Sequence, residues 1–418
     1  MELSAKSQHL IRFFSNQPSE HYVSHTKKTD QLFKHLYNDI YQAYKYVETM
    51  TFNATIKRRK NATDITKPIV FNASHFPKQI YEHIEKNTVG EIIYSFSLFE
   101  RTVNVYFIVE ESNIEKDMET YNRYIKSIAT WLYIVHMHAS KKCVKTLSIY
   151  IYLTSLQKQL PTSNTQVLDA IHVNTAFTTT CPVISEIVIF RKEEWFKVFI
   201  HETFHNFGLD FSDMNCDSVN QCILSIFDVN ITDLRPYEAY TEFWANILNV
   251  LFCSFFKLKK KENVAEFLEN SEFYLTQEIT HSLFQMVKTL QFMGLYYKDL
   301  YSKKNEAKFL RENLYKEKTN VFSYFILKTI LLYNYPKFVA WCDTQHPTSI
   351  FHFHKTPQSL QSFCRFIQQH YKTQSMTKSV DEMQDLLYTV YSSNTKHSMK
   401  KEVIHNMRMT VCELGWEV

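Results

Sequence analysis

Apolar positions recur with a helical period early in the chain. Leu32, Phe33, Leu36, Ile40, Tyr44 and Val47 fall on one stripe, which predicts a helix over about 30–50. Residues 51–78 carry Thr, Asn, Lys and Pro without a period and read as irregular. The period then drops to two: 91–99 and 103–109 alternate on either side of a short turn, a hairpin pattern. A second helical stripe follows over 117–140, through Tyr121, Tyr124, Ile128, Trp131 and Val135. Strands are predicted at 147–153, around 171–178 and at 185–191. From Arg235 onward strand patterns nearly vanish, and helical ones recur at 236–256, 262–300, 305–335, 357–371 and 380–392. The expected fold class is therefore α+β. Three regions are expected: a helical and irregular part over 1–80, an α/β part over 81–210, and a mainly helical part over 211–418.

The strand at 185–191 leads directly into a helical stretch, 193–207, whose apolar face holds Trp195, Phe196, Phe199, Ile200 and Phe204. Glu193 and Glu194 suit the positive end of such a helix. Within it stand His201, Glu202, Thr203, Phe204 and His205, an H-E-x-x-H pattern. Positions i and i+4 lie one turn apart on one face, so both imidazoles can bind a single metal ion. Glu202, beside the first of them, can hold a water and take its proton. Gly208, one of only 4 glycines in the chain, is where the helix should stop, because glycine accepts the left-handed backbone of a C-terminal cap.

A catalytic zinc site needs a third protein ligand and leaves a fourth position for water. Six residues past His205 stands Phe211, flanked by Asp210 and Asp213, so no ligand falls in that near register. A later helix over 235–249 offers Glu238 and Glu242 at i and i+4, with Pro236 at its start. Either carboxylate can reach the metal. Glu242 is the first choice and Glu238 the second. An acidic helix face simply turned to water is the plainer alternative.

A strand feeding an H-E-x-x-H helix, followed by a glutamate on a later helix, resembles the zincin metallopeptidases of gluzincin type. The likeness covers about 60 residues, from 185 to 249, as order and motif. Glu242, Phe243, Trp244 and Ala245 are similar to the ligand helix of the anthrax lethal factor type. The Glu238/Glu242 pair also looks like the thermolysin arrangement, in which the first acid binds metal and the second orients a ligand histidine. The resemblance implies a twisted sheet with a backing helix and the active-site helix beneath it, then a helical subdomain carrying the third ligand. It implies Zn²⁺ as cofactor, a polypeptide substrate paired along an edge strand, Glu202 as general base, and Tyr237 or Tyr240 as the nearest candidates to hold an oxyanion. The alternatives are a non-catalytic zinc-binding or structural (virion) protein with a vestigial site, a helical binding module with two unrelated histidines, and a metal-dependent hydrolase of something other than peptides.

Composition adds little to the chemistry. There are 33 Phe and 26 Tyr against 4 Gly, an AT-rich coding bias that resembles proteins of large cytoplasmic DNA viruses such as the African swine fever virus group and equally those of an AT-rich bacterium or protist. A net charge of +4 demands no nucleic-acid partner, and the basic runs at 57–60 and 257–261 read as solvated ends. The 8 cysteines are scattered, which suggests reduced thiols and a cytoplasmic protein. No signal peptide is visible at the start of the chain. The longest apolar run, 321–341, is broken by Lys328, Asn334 and Pro336 and reads as a buried helix rather than a membrane span. His281 and His370 read as ordinary core or surface histidines.

Overall fold

The computed structural model describes residues 1–16, 23–61, 64–392 and 402–416. Two helices open the chain, α1 (Ala5–Ser15) and α2 (Lys27–Glu48), before strand β1 (Ala54–Arg58). Next come α3 (Lys78–Asn87), the hairpin β2 (Gly90–Leu98) and β3 (Arg101–Val109), α4 (Met118–His138), β4 (Thr146–Tyr152), the short α5 (Ala170–Val173), β5 (Ala176–Thr178) and β6 (Ile184–Ile189). All remaining elements are helical: α6 (Trp195–Asn206), α7 (Asp217–Phe227), α8 (Pro236–Lys257), α9 (Val264–Phe292), α10 (Asn305–Leu314), a π-helical turn (Phe322–Leu327) running into α11 (Lys328–Tyr333), α12 (Tyr335–Gln345), α13 (Pro357–His370) and α14 (Gln374–Ser392). The chain is of mixed α+β class.

The strands form one six-stranded mixed sheet in the order β1-β2-β3-β4-β6-β5. β3, β4 and β6 run parallel, while β1, β2 and β5 are antiparallel to their neighbours. Both faces of the centre are covered, which is why β4 and β6 are buried at most positions. Leu147, Ile149, Ile151, Ile187 and Ile189 point into the main core with α4 and α6. Tyr150, Tyr152, Val188 and Phe190 point the other way, into a second core closed by Ile80 and Ile84 of α3 and by Phe71 and Phe76. The main core runs without a break from Leu3 to Trp416 and crosses both expected boundaries, at 80 and at 210.

The 51–78 stretch is not wholly irregular. Ala54–Arg58 pairs with β2, so part of the basic run at 57–60 is edge strand. Arg59 donates to the carbonyls of Glu85 and Thr88, and Lys261, in the other basic run, donates to three carbonyls at the end of α8. Both runs thus stabilise chain ends and turns. The expected helix over 305–335 breaks into α10 and the π-helical turn, and His281 is a core residue as read. No helix among the described residues is long and apolar enough to cross a membrane.

The expectation of eight thiols is corrected. Cys143 bonds Cys181, and Cys222 bonds Cys364, across sequence separations of 38 and 142. Partners this distant along the chain leave no trace in spacing. Cys216 is a free thiol.

The 402–416 segment threads through the interior. Glu194 accepts from the backbone N–H groups of Met409 and Thr410, and Glu278 from those of Val411 and Cys412. Arg408, fully buried, pairs with Glu413 at 3.0 Å. The two acids before the H-E-x-x-H helix therefore do more than suit its dipole. Glu194 takes a left-handed backbone (φ 61°) just ahead of α6 and anchors this segment.

Candidate metal centre

α6 lies between the sheet and α8. On its sheet-facing side, Thr203 accepts from the Trp131 indole of α4 at 2.7 Å, and Phe204 stacks on the same ring. Its end behaves as the sequence predicts. Gly208 has φ +66°, and the Leu209 N–H returns to the Phe204 carbonyl at 2.8 Å, closing a Schellman-type turn. The opposite face presents His201 and His205 to α8.

There, three ligand atoms converge. His201 Nε2 and His205 Nε2 are 3.2 Å apart, and Glu238 Oε2 lies 3.1 Å from the first and 3.4 Å from the second. Tetrahedral zinc with bonds of about 2.0–2.1 Å requires ligand–ligand edges of about 3.3 Å. Two imidazole nitrogens and a carboxylate oxygen in a triangle of that size could hold a metal ion, and among the described residues they are the group of His, Cys, Asp or Glu so placed. The group is nearly sealed from water: His205, its most exposed member, shows 9 % of its surface.

The two acids of α8 divide the work. Glu238, the second choice from sequence, supplies the oxygen that meets both rings. Glu242, the first choice, does not reach that point. It accepts from His201 Nδ1 at 2.8 Å, and its other oxygen is paired with Lys197. One helical turn decides this: residues i and i+4 share a face, but only one of them is level with the histidines.

Asp210 does for His205 what Glu242 does for His201. It accepts from His205 Nδ1, and it is held by the Ser212 hydroxyl at 2.8 Å and the Thr241 hydroxyl at 3.2 Å. Each imidazole thus presents Nε2 to the shared point because a buried carboxylate fixes its Nδ1–H. Sequence reading considered Asp210 only as a ligand in a near register, and it passed over an orienting role.

The field at the shared point favours a cation. Burial alone would lower the pKa of both histidines, yet Glu238 and Glu242 raise that of His201, and Asp210 and Glu238 raise that of His205 well above its ordinary value. Burial would likewise raise Glu238, but the two imidazoles hold it well below the carboxylate range. Lys197 and His201 outweigh burial at Glu242 and bring it down to about 2. Glu202 moves the other way: burial lifts its carboxyl above the ordinary value, against the pull of the histidines. A small cavity of about 30 Å³, bordered by Glu202, His201, Lys158, Val173, Asn174 and Ala176, adjoins the cluster. That is room for a water or two.

Of the tyrosines expected near the centre, Tyr237 stands edge-on to His205, with ring centroids 5.9 Å apart. Tyr240 does not reach it: the side chain is fully buried among Phe211 and Phe353, and its hydroxyl donates to the Phe351 carbonyl at 3.1 Å. The hydroxyl at the cluster belongs to Tyr324, which donates to Glu238 Oε2 at 2.9 Å. Tyr324 sits in the π-helical turn, an irregularity often found at functional sites. Nothing in its sequence neighbourhood marks it. Comparison with protein-family models, with curated proteins and with solved structures found no match.

Proposed function

We propose that this chain is a zinc-dependent peptidase of gluzincin type, with His201, His205 and Glu238 as ligands. The observation that carries the reading is the triangle of ligand atoms with a buried carboxylate, Glu202, one residue from the first histidine. Zinc bound there supplies a Lewis acid for a carbonyl oxygen and acidifies a water. Glu202 takes the proton of the attacking water and delivers it to the leaving amine, a task that its raised pKa suits. Glu242 and Asp210 keep the histidines in the tautomer that leaves Nε2 free. Tyr324 carries the O–H best placed to hold negative charge as it develops on the substrate oxygen. β5, the last strand of the sheet, offers its outer edge to an extended polypeptide. The sheet with α4 and α6 on one face would then be the zincin-like half, and the helices from α8 onward the half that brings the third ligand.

One observation favours the non-catalytic alternative. The cavity at the cluster admits water but no peptide, so the wall formed by Lys158 and residues 173–176 would have to part before a substrate enters. Metal content and cleavage of a peptide library by the full chain separate the two readings. About one zinc per chain in wild type and in Glu202→Gln, lost in His205→Ala, with cleavage only in wild type, is the expected result. Zinc with no cleavage of any peptide makes the site structural. No metal after zinc is added back rejects both.

A further inference from the structure

The segments that wall the small cavity have a second side. Lys158, Val173 and Asn174 face the ligand cluster, whereas Gln159, Leu160, Ile171 and His172 line a separate cleft of about 910 Å³. Arg191, just past β6, lines that cleft although only 1 % of its surface is exposed. Its Nε donates to the Asn174 carbonyl at 3.3 Å and its Nη2 to the Ile171 carbonyl at 2.6 Å. Among the described residues no carboxylate forms an ion pair with it at 4 Å or less, although the charges of Glu193 and Glu194 act on it from farther off. Burial brings the guanidinium down to about 10, still cationic at neutral pH. Of the charged residues that line the cleft, Asp169 accepts from the Ala170 N–H at 2.6 Å, and the exposed Lys318 adds a second positive charge. A buried guanidinium held only by carbonyls keeps donors for an anion, and carboxylate is the anion its fork fits.

Position links this cleft to the site. β5 runs antiparallel to β6, and antiparallel pairing is the commoner choice for an added strand. A peptide added antiparallel to β5 passes Thr178, then Ala176, then Asn174 in its own N-to-C direction. Its C-terminal part therefore leaves the metal cluster toward Ile171 and Arg191.

Building on the peptidase reading, we propose that this cleft is the subsite for a carboxylate on the C-terminal side of the scissile bond. The carboxylate is that of an acidic side chain or the peptide's own C-terminus, held by Arg191 and Lys318.

Binding can be read without hydrolysis. Fluorescently labelled alanine-rich hexapeptides are titrated into zinc-loaded Glu202→Gln protein in three forms: C-terminal amide, free carboxylate, and amide with one internal Glu. The carboxylate or Glu form should bind at least about tenfold tighter than the plain amide, as a charge-assisted hydrogen bond implies. Which of the two does so names the source. The preference should shrink about threefold in Lys318→Gln, whose side chain is exposed, and vanish in Arg191→Gln. Equal affinity of all three forms, or a preference untouched by Lys318→Gln and Arg191→Gln, overturns the subsite. Should the preference hold while the wild type cleaves no peptide, the carboxylate site stands and the peptidase reading falls.

Discussion

Two clusters of buried charge sit behind one another in this molecule, and they are built on opposite plans. Around the 402–416 segment each carboxylate is matched by donors. Glu194 takes two backbone N–H groups and pairs with Lys158, and Glu278 takes two more and the Thr410 hydroxyl. Around α6, by contrast, His201 Nε2, His205 Nε2 and Glu238 Oε2 face one another across 3.1–3.4 Å, and the donor that reaches this triangle is the Tyr324 hydroxyl on Glu238. Donors and acceptors that cancel in place make a structural anchor. Acceptors that converge on one point make a site that wants a cation. Burial and perturbed pKa are common to both clusters and do not tell them apart.

The contrast can be broken at either cluster. The largest effect should come from Glu202→Gln, which should lower the rate of peptide hydrolysis by about 10²–10⁴ and leave zinc content and melting temperature near wild type. A parallel loss of zinc would mean that Glu202 holds the metal instead of serving as a base. At the anchor, Glu194→Ala leaves Lys158 and two N–H groups buried without their partner. Its cost should be about 3–5 kcal/mol by denaturant unfolding, with one zinc still bound in the folded fraction. An unchanged unfolding midpoint would show that the anchor does not hold the fold.

Between the two plans lies Glu317, which accepts from Tyr315 and from the Phe322 N–H at the start of the π-helical turn, while burial pushes its pKa up to about 7. The folded state then holds a proton that the unfolded chain releases above about 4.5. Stability should therefore fall as pH rises from 4.5 to 7, by about 1–3 kcal/mol. Glu317→Gln should flatten that slope in thermal melts across the range, and a slope equal to wild type would assign it to other groups. The smallest effect is expected at the carboxylates that orient the histidines. Asp210→Asn and Glu242→Gln should each weaken zinc by about 10–100-fold, measured by competition with a chelator. A change below twofold would leave them no orienting role.

Much of this was legible in the chain. The hairpin, α2, α4, α6, α8 and α9 follow from periodicities of two and 3.6, which survive any tertiary context because one face of each element must be buried. His201, Glu202 and His205 were legible for the same reason, since a single helix fixes their geometry. β1 was missed because a five-residue edge strand buries little and needs no alternation. β5 is shorter than expected, and α5 takes the first residues of its 171–178 window.

The sequence by itself determined what one helix can determine: two imidazoles a turn apart, a carboxylate beside them, and a glycine to end the helix. It also narrowed the third ligand to Glu238 and Glu242. Only the tertiary structure placed Glu238 rather than Glu242 beside both Nε2 atoms, because helical spacing makes i and i+4 equivalent until a second helix is docked at a given height. Tyr324, the Asp210 contact and the pairing of Cys143 with Cys181 were decided in the same way. Each joins atoms whose separation depends on how α6, α8 and the π-helical turn pack or on how two loops meet, and no local pattern records that distance.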